Sequence, residues 1–262
     1  MSETQNPFID GEAYERSTAR WSRAAGEVFL GWLALPDGLR WLDVGCGTGA
    51  LTELIVDRCS PLSVSGVDPS AGQITYAKSR PLADNIDYQV GDAQQLPFDD
   101  QTFDVAAMAL VISFVPDQTK AVSEMVRVVR PGGTVATFNW DLLGGGHFQQ
   151  PIRDAIKSVG VVTPPRKSDE HSSVDGLVRL FQSGGLEGVT GHQFEIQLDF
   201  PDFDEYWDSQ TSLVNNSIRP IQEMSDATVE RLKAILRERL PTDSNGGISF
   251  PARCNAVMGI AP

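Results

Sequence analysis

Apolar side chains recur at helical intervals through residues 14–33, where Tyr14, Trp21, Ala25, Val28, Phe29 and Trp32 share one face of an amphipathic helix or helix pair. Pro36-Asp37-Gly38 then makes a turn. From residue 40 the rhythm changes to short apolar runs alternating with helical ones. Strands are predicted at 41–44, 62–67, 86–90, within 103–114 and at 134–140, with helices at 50–59, 70–80 and 117–130 between them. Ser70 is the expected N-cap of the second of these helices. The unbroken apolar run 105–112 reads as a strand buried on both faces. Strands alternating with helices of this length imply parallel pairing through right-handed crossovers, an α/β fold.

Beyond residue 140 the pattern loosens. Gly144-Gly145-Gly146 and residues 164–173 read as mobile loop, 174–184 as a short helix and 189–199 as a strand. Helices are expected at 202–213 and 226–240, and a final strand region at 248–260 closes the sheet.

Composition narrows the partners. The 262 residues carry a formal net charge of −14 with 41% hydrophobic and 21% charged side chains, an ordinary globular profile. The longest basic cluster, Arg166-Lys167, is followed at once by Asp169-Glu170, so nucleic acid is a poor partner. No apolar run approaches the roughly 20 residues of a membrane span, and the polar start from Met1 to Asp10 gives no expectation of a signal peptide. Three cysteines, Cys46, Cys59 and Cys254, show no metal spacing and suit a reducing, cytoplasmic compartment.

The chemistry concentrates at the ends of the first three strands. Leu42-Asp43-Val44-Gly45-Cys46-Gly47-Thr48-Gly49 occupies the first strand-to-helix junction, where glycines allow a sharp turn and close approach of a ligand to the main chain. Asp68 ends the second strand and can accept hydrogen bonds from both hydroxyls of a ribose, each worth about 1.5–3 kcal/mol. Gly91-Asp92-Ala93 ends the third, where a carboxylate can accept from an adenine amino group. Acceptors at three successive strand tips line the crevice where open α/β sheets bind ligands, and together they favour a nucleoside.

Residues 40–140 resemble the class I S-adenosylmethionine-dependent methyltransferases, most of all the group containing the ubiquinone/menaquinone-biosynthesis C-methyltransferases. The resemblance rests on residues 42–49, Gly66-Val67-Asp68-Pro69-Ser70, Gly91-Asp92-Ala93 with Leu96-Pro97-Phe98, Phe103-Asp104-Val105 and Arg130-Pro131-Gly132-Gly133. It implies a doubly wound, mostly parallel seven-stranded sheet whose last strand is antiparallel. It also implies that S-adenosylmethionine is the cofactor, with Gly45, Cys46, Gly47 and Gly49 against its methionine and ribose portion. Asp68 and Pro69 would then lie at the ribose, Asp92 and Ala93 at the adenine, main-chain groups of Ala109 and Leu110 at the amino-acid end, and Asp43 would orient the methionine part. Tyr14 and Trp21, seven apart on one helical face, could cover a cationic cofactor or simply pack on the sheet. Residues 1–39 would form a helical lid segment and 40–262 the methyltransferase domain, with a cofactor half at 40–140 and substrate-side insertions at about 141–245.

No catalytic residue is named by the sequence, and proximity alone can drive methyl transfer. His147, beside the glycine-rich loop after the fifth strand, is the candidate base; His171 and His192 read as structural or solvated. Asn139 and Asp141 lack a matching carboxylate on strand four, so no metal is expected. The fourth strand ends Ala109-Leu110-Val111-Ile112, without the Asp/Asn-Pro-Pro-aromatic motif of base-amino methyltransferases, and no Pro-Cys dipeptide exists for cytosine-C5 chemistry. A small-molecule acceptor is therefore expected. Two rivals remain: an NAD(P)-dependent oxidoreductase, although Gly45 to Gly49 has GxGxG rather than GxGxxG spacing, and a non-catalytic S-adenosylmethionine-binding protein. The oligomeric state stays open.

Overall fold

The computed structural model describes residues 20–162, 169–211 and 219–262; Tyr14 lies outside them. After helix α1 (Arg20–Leu33) the chain alternates β1 (Arg40–Val44), α2 (Ala50–Cys59), β2 (Ser63–Asp68), α3 (Ala71–Lys78), β3 (Ile86–Val90), β4 (Phe103–Ala109), α4 (Gln118–Val128) and β5 (Val129–Trp140). It continues through α5 (Gln150–Ser158), α6 (Val174–Ser183), β6 (Glu187–Phe200), α7 (Phe203–Thr211), α8 (Arg219–Gln222) and α9 (Asp226–Arg239) to β7 (Ile248–Ile260). The strands form one seven-stranded sheet in the order β3-β2-β1-β4-β5-β7-β6. The first five pair in parallel, and β7 runs antiparallel to both β5 and β6. This is the doubly wound sheet expected, with the order reversing beside β1.

Alternation along each strand divides the core. Trp41, Val105 and Ala107 face a layer built by Trp21, Ala25 and Phe29 of α1, Leu54 of α2 and Ile74 of α3. Leu42, Ala106 and Met108 face the opposite layer, built by Val122 and Met125 of α4 and Leu177 and Phe181 of α6. Val105, Ala106, Ala107 and Met108 are all buried, as a central parallel strand requires. That strand stops at Ala109, however, and Ile112–Phe114 is a 3-10 turn. The Pro131-Gly132-Gly133 turn is absorbed into β5 as a bulge, since Phe103 pairs with Val129 but Val105 pairs with Thr134.

Three features depart from expectation. The Gly144–Gly146 loop is pinned, not mobile: Gly144 N–H donates to Asp141 Oδ1 (2.8 Å), and Arg253 donates to Asp141 Oδ2 (2.7 Å) and to the Gly144 carbonyl (2.8 Å). Helix α5 follows where no helix was expected; its sequence has few apolar residues, but Ile152, Ala155 and Ile156 share one buried face. Of the second loop, residues 163–168 lie outside the described residues, and Asp169–Ser172 is a 3-10 turn whose Ser172 is buried.

The β6–β7 pair also outruns the sheet. Trp140 ends β5 opposite Cys254, which pairs with Phe194, and the two strands then continue alone to Phe200 and Ile248. At 3.3–3.4 Å per residue the six further residues of β6 carry this arm about 20 Å past the tip of β5. Its apolar face, Phe194, Ile196, Phe200, Ile248 and Ala252, is covered by Trp21, Phe148, Tyr206, Leu232 and Leu236. Phe200 meets Tyr206 edge-on at 5.4 Å. The arm, α5, α7 and α9 thus build an apolar cap beside the carboxyl ends of the parallel strands.

At the other end of the sheet, Asp104 accepts from the Arg40 backbone N–H (2.8 Å), the Arg40 side chain (3.0 Å) and Arg130 Nε (2.5 Å). The Arg40 hydrogen bond, followed by the other contacts, holds its carboxyl well below the usual carboxylate range. We predict that Asp104→Asn lowers stability by about 1–3 kcal/mol at pH 7 in urea denaturation. Because the folded value is depressed, this contribution is complete above the unfolded value and fades as pH falls below about 4, so the wild-type advantage should shrink there. Tyr206 makes the opposite case, since its hydroxyl is buried without a partner. Tyr206→Phe is expected to leave stability unchanged or to raise it by up to about 1 kcal/mol in the same assay, and a loss of that size would reveal a hidden partner.

Candidate functional site

The turn from β1 into α2 is fixed by its backbone. Gly45 and Cys46 both donate to the Val67 carbonyl (2.7 and 3.0 Å), which ties the loop to β2. Gly45, Gly47 and Gly49 all have positive φ, a region that L side chains rarely adopt. Two of them also make room for neighbours: a Cβ on Gly45 would lie 2.6 Å from Val111, and one on Gly49 would lie 2.5 Å from the Tyr88 hydroxyl. A Cβ on Gly47 would touch nothing within 4 Å, so the outer side of the loop is open to a ligand. Gly49 caps α2 in a left-handed conformation without a side-chain cap, leaving the first-turn N–H groups to other acceptors.

Two carboxylates flank this loop. Asp68 accepts from Gly47 N–H at Oδ2 (3.0 Å) and from Ser70 N–H at Oδ1 (2.9 Å). Burial pushes its pKa up, and the two backbone donors hold it down. Ser70 in turn caps α3 through Gln73 N–H, as its sequence position suggested. Asp43 lies fully buried beneath the loop. Thr52 Oγ1 donates to its Oδ2 at 2.6 Å, while Oδ1 has no partner. Burial raises the Asp43 pKa to about 7, the Thr52 bond opposes the shift, and the nearby charge of Asp68 adds to it. Cys46 is buried too, and its thiol is pushed up by burial and by both aspartates.

The other strand tips complete the edge. Asp92 is exposed in a turn where its Oδ1 accepts from Gln94 N–H (2.8 Å), and Gln94 Oε1 accepts from Asp117 N–H (3.0 Å), tying β3 to the start of α4. Ala93 is buried beneath it and Pro69 is exposed. After Ala109, Leu110 adopts φ +62°, and its N–H donates to the Phe138 carbonyl (2.8 Å). A non-glycine residue held there costs on the order of 1–3 kcal/mol, a strain that concentrates at functional sites. It also turns Val111 under Gly45.

Sequence reasoning missed Thr52, Tyr88 and Val111, which hold the loop from below. Thr52 had one available signal, a hydroxyl three residues into the helix that the loop opens. Tyr88 and Val111 reach the loop only through the register of β3 and the kink after β4.

Trp21 stacks on Phe148 (5.1 Å) and borders Phe200 and Phe250, so its indole is spent within the cap. His147 is buried between Trp140 and Phe148, and its Nδ1 accepts from Gln149 N–H (3.0 Å), which shapes the entry to α5. His171 pairs with Gln118, and His192 stacks on Trp32 and Phe194. Asn139 bonds Ser113 and Asp141 bonds Arg253, so both are committed to loop structure. A separate cleft of about 610 Å³ is lined by Glu53, Tyr76, Arg80 and Leu82 and includes none of the glycine-loop residues.

Comparison with known proteins fits this geometry. Residues 42–137 match the family model described as a methyltransferase domain. The malonyl-[acyl-carrier protein] O-methyltransferase of Serratia marcescens is 30% identical over 60% of this chain and 61% of its own length. The ubiquinone/menaquinone biosynthesis C-methyltransferase of Campylobacter jejuni is 29% identical over 56% of this chain and 66% of its own. A Haemonchus contortus phosphoethanolamine N-methyltransferase, solved with phosphomonomethylethanolamine and S-adenosylhomocysteine, superposes with a TM-score of 0.58 at 16% identity, covering 96% of this chain and 57% of that one. The chain spans about six tenths of the length of the curated relatives it matches. Residues 42–137 are thus similar to a methyltransferase domain, and the seven-stranded sheet is the Rossmann-like one of its methyltransferase neighbours.

The packing beneath the loop makes its own prediction. A Cβ on Gly66 would lie 2.7 Å from the Tyr88 ring and 3.1 Å from Cys46 Sγ. Gly66→Ala should therefore cost about 1–3 kcal/mol through overpacking. Trimming the ring with Tyr88→Leu in the same chain should recover part of that loss, and strictly additive effects in the double-mutant cycle would contradict the contact.

Proposed function

We propose that this chain transfers a methyl group from S-adenosylmethionine to a small-molecule acceptor. The observation that carries the reading is the tether between Asp68 and Gly47, which sets a carboxylate at the tip of β2 against an outward-facing glycine loop at the tip of β1. The family match covers the same residues. The donor set fits the cofactor: Gly45, Cys46, Gly47 and Gly49 would present main chain to the methionine and ribose portion, and the remaining lone pairs of Asp68, beside Pro69, would take the ribose hydroxyls. Asp92 and Ala93 would meet the adenine, Ala109 and Leu110 would offer main-chain groups to the amino-acid end, and Asp43 would orient it from below.

When bound, S-adenosylmethionine supplies a methyl group already activated on a sulfonium. What the protein must add is position, and holding two reactants in line can supply roughly 7–11 kcal/mol without a covalent catalyst. We assign acceptor binding to the insertions at about 141–245, whose cap stands beside the strand tips, and a lid role to residues 1–39, with Trp21 anchoring α1 on the cap. His147 is retained as a base candidate only through its position after β5. The acidic charge and three free cysteines suit a cytoplasmic protein, and no described helix is long and apolar enough to cross a membrane.

Calorimetric titration with S-adenosylmethionine, S-adenosylhomocysteine, NAD and NADP tests the reading. The two adenosyl ligands should bind and the dinucleotides should not. Asp68→Ala should weaken binding at least tenfold, about 1.4 kcal/mol, with its melting transition retained. Unchanged affinity in the folded variant, or a dinucleotide as the preferred ligand, would refute the site. An acceptor screen that never yields S-adenosylhomocysteine would leave a cofactor-binding protein without turnover.

A further inference from the structure

The sheet order reverses between β1 and β4, so the turn after β4 forms one wall of the crevice at the carboxyl edge. His171 is hung from that turn by way of Gln118, the first residue of α4. Gln118 Nε2 donates to the Ile112 carbonyl (2.9 Å), and Gln118 Oε1 meets His171 Nδ1. The Ile112 carbonyl can only accept, which fixes how the Gln118 amide sits, and the amide oxygen can only accept in its turn. The proton of the neutral His171 ring is therefore on Nδ1 and its lone pair on Nε2. No described group bonds that nitrogen. His147 has the reverse arrangement: Gln149 N–H takes the lone pair of its Nδ1, so its proton sits on Nε2. The mount of His171 is well anchored. Ser172, fully buried beside it, accepts from Leu143 N–H (3.2 Å) at Oγ and from Asn255 Nδ2 (2.6 Å) at its carbonyl, and Asn255 accepts from Gln193 (2.8 Å). The His171 ring itself is only partly buried. The segments that hold it, the turn after β4 and the loop after β5, also expose Phe114 (65%) and Leu143 (59%).

We propose that His171 is the base that takes the acceptor's proton during methyl transfer, with Gln118 as the positioning residue that fixes its tautomer, and that the acceptor is a weakly acidic hydroxyl on an apolar, phenol-like body. The inference rests on the methyl-transfer reading and deepens it. His171 Nε2 receives the O–H proton while an electron pair of that oxygen goes to the methyl carbon. The pair of the broken carbon–sulfur bond stays on sulfur, and the imidazolium then gives its proton to solvent. Nδ1–H stays on Gln118 throughout, so the ring keeps its orientation. Phe114 and Leu143 give the apolar body of the acceptor a rim to lie against.

Nitrogen-15 spectra of the histidine rings test the geometry without any acceptor. With the imidazoles neutral, His171 should carry its proton on Nδ1 and His147 on Nε2, and Gln118→Ala should release His171 to a mixture of tautomers. Diethyl pyrocarbonate, mapped by mass spectrometry, should acylate His171 well before His147. Turnover is read as S-adenosylhomocysteine formed from S-adenosylmethionine and a series of substituted phenols. His171→Asn should bind S-adenosylhomocysteine as the wild type does yet lower kcat about 10²–10⁴-fold, with Gln118→Ala in between. The loss should shrink as the phenol becomes more acidic, because a phenol already ionised has no proton to give; a merely structural role would lower kcat equally across the series. An Nε2–H tautomer at His171, a ring inert to the reagent, an equal loss for all phenols, or turnover in His171→Asn within about threefold of wild type would overturn the inference. So would a wild type that binds S-adenosylhomocysteine and methylates no phenol, which leaves the cofactor reading intact. Failure of the wild type to bind S-adenosylhomocysteine would remove that reading, and this inference with it.

Discussion

Everything at the carboxyl edge depends on the bond from Gly47 N–H to Asp68. It joins the tips of β1 and β2 at the point where the loop leaves the sheet, and it works only because β1 and β2 pair in parallel with Asp43 opposite Gly66. A shift of one residue would turn Asp43 into the opposite apolar layer and carry the loop away from the carboxylate. The same bond occupies part of Asp68, leaving it oriented before any ligand arrives. Preorganisation of this kind spares a ligand the cost of ordering its own site.

Below the loop the chain tolerates electrostatic conditions that a purely structural core would avoid. Asp68 raises the proton affinity of Asp43 across the loop, and the cluster contains two buried oxygens without partners, on Asp43 and on Tyr88. Groups buried in this way cost stability, about 1–3 kcal/mol each when unpaired. The apolar layers on both faces of the sheet absorb such costs, and so does the hydrogen-bonded scaffold around Asp104 at the opposite end. Local instability collects where the ligand is expected, together with the left-handed Leu110.

The cap follows from a different constraint. Once β7 has closed the sheet beside β5, nothing limits the length of the β6–β7 pair, and its apolar face must be buried somewhere. Helices α5, α7 and α9 bury it with Trp21 and Phe148, and in doing so they place a second apolar core next to the strand tips. The side of the site proposed for the acceptor would thereby be built from sequence far from the glycine loop. That is consistent with a family match that ends at residue 137.

The alternation of strands and helices, the parallel order and the motif residues at three strand tips could all be read along the chain, because each depends on short-range periodicity or on a glycine's backbone freedom. The Ser70 cap and the limits of α2, β3 and β7 belong to the same class. Other features were decided in three dimensions. The Gly144–Gly146 loop is rigid because Arg253, over a hundred residues later, is brought to Asp141 by strand pairing. Tyr88 and Val111 support the loop because register and a backbone kink deliver them there, and Trp21 is drawn into the cap instead of standing exposed over the crevice. Proton affinity at Asp43 likewise comes from complete burial among acidic neighbours, a property of packing that linear spacing does not encode.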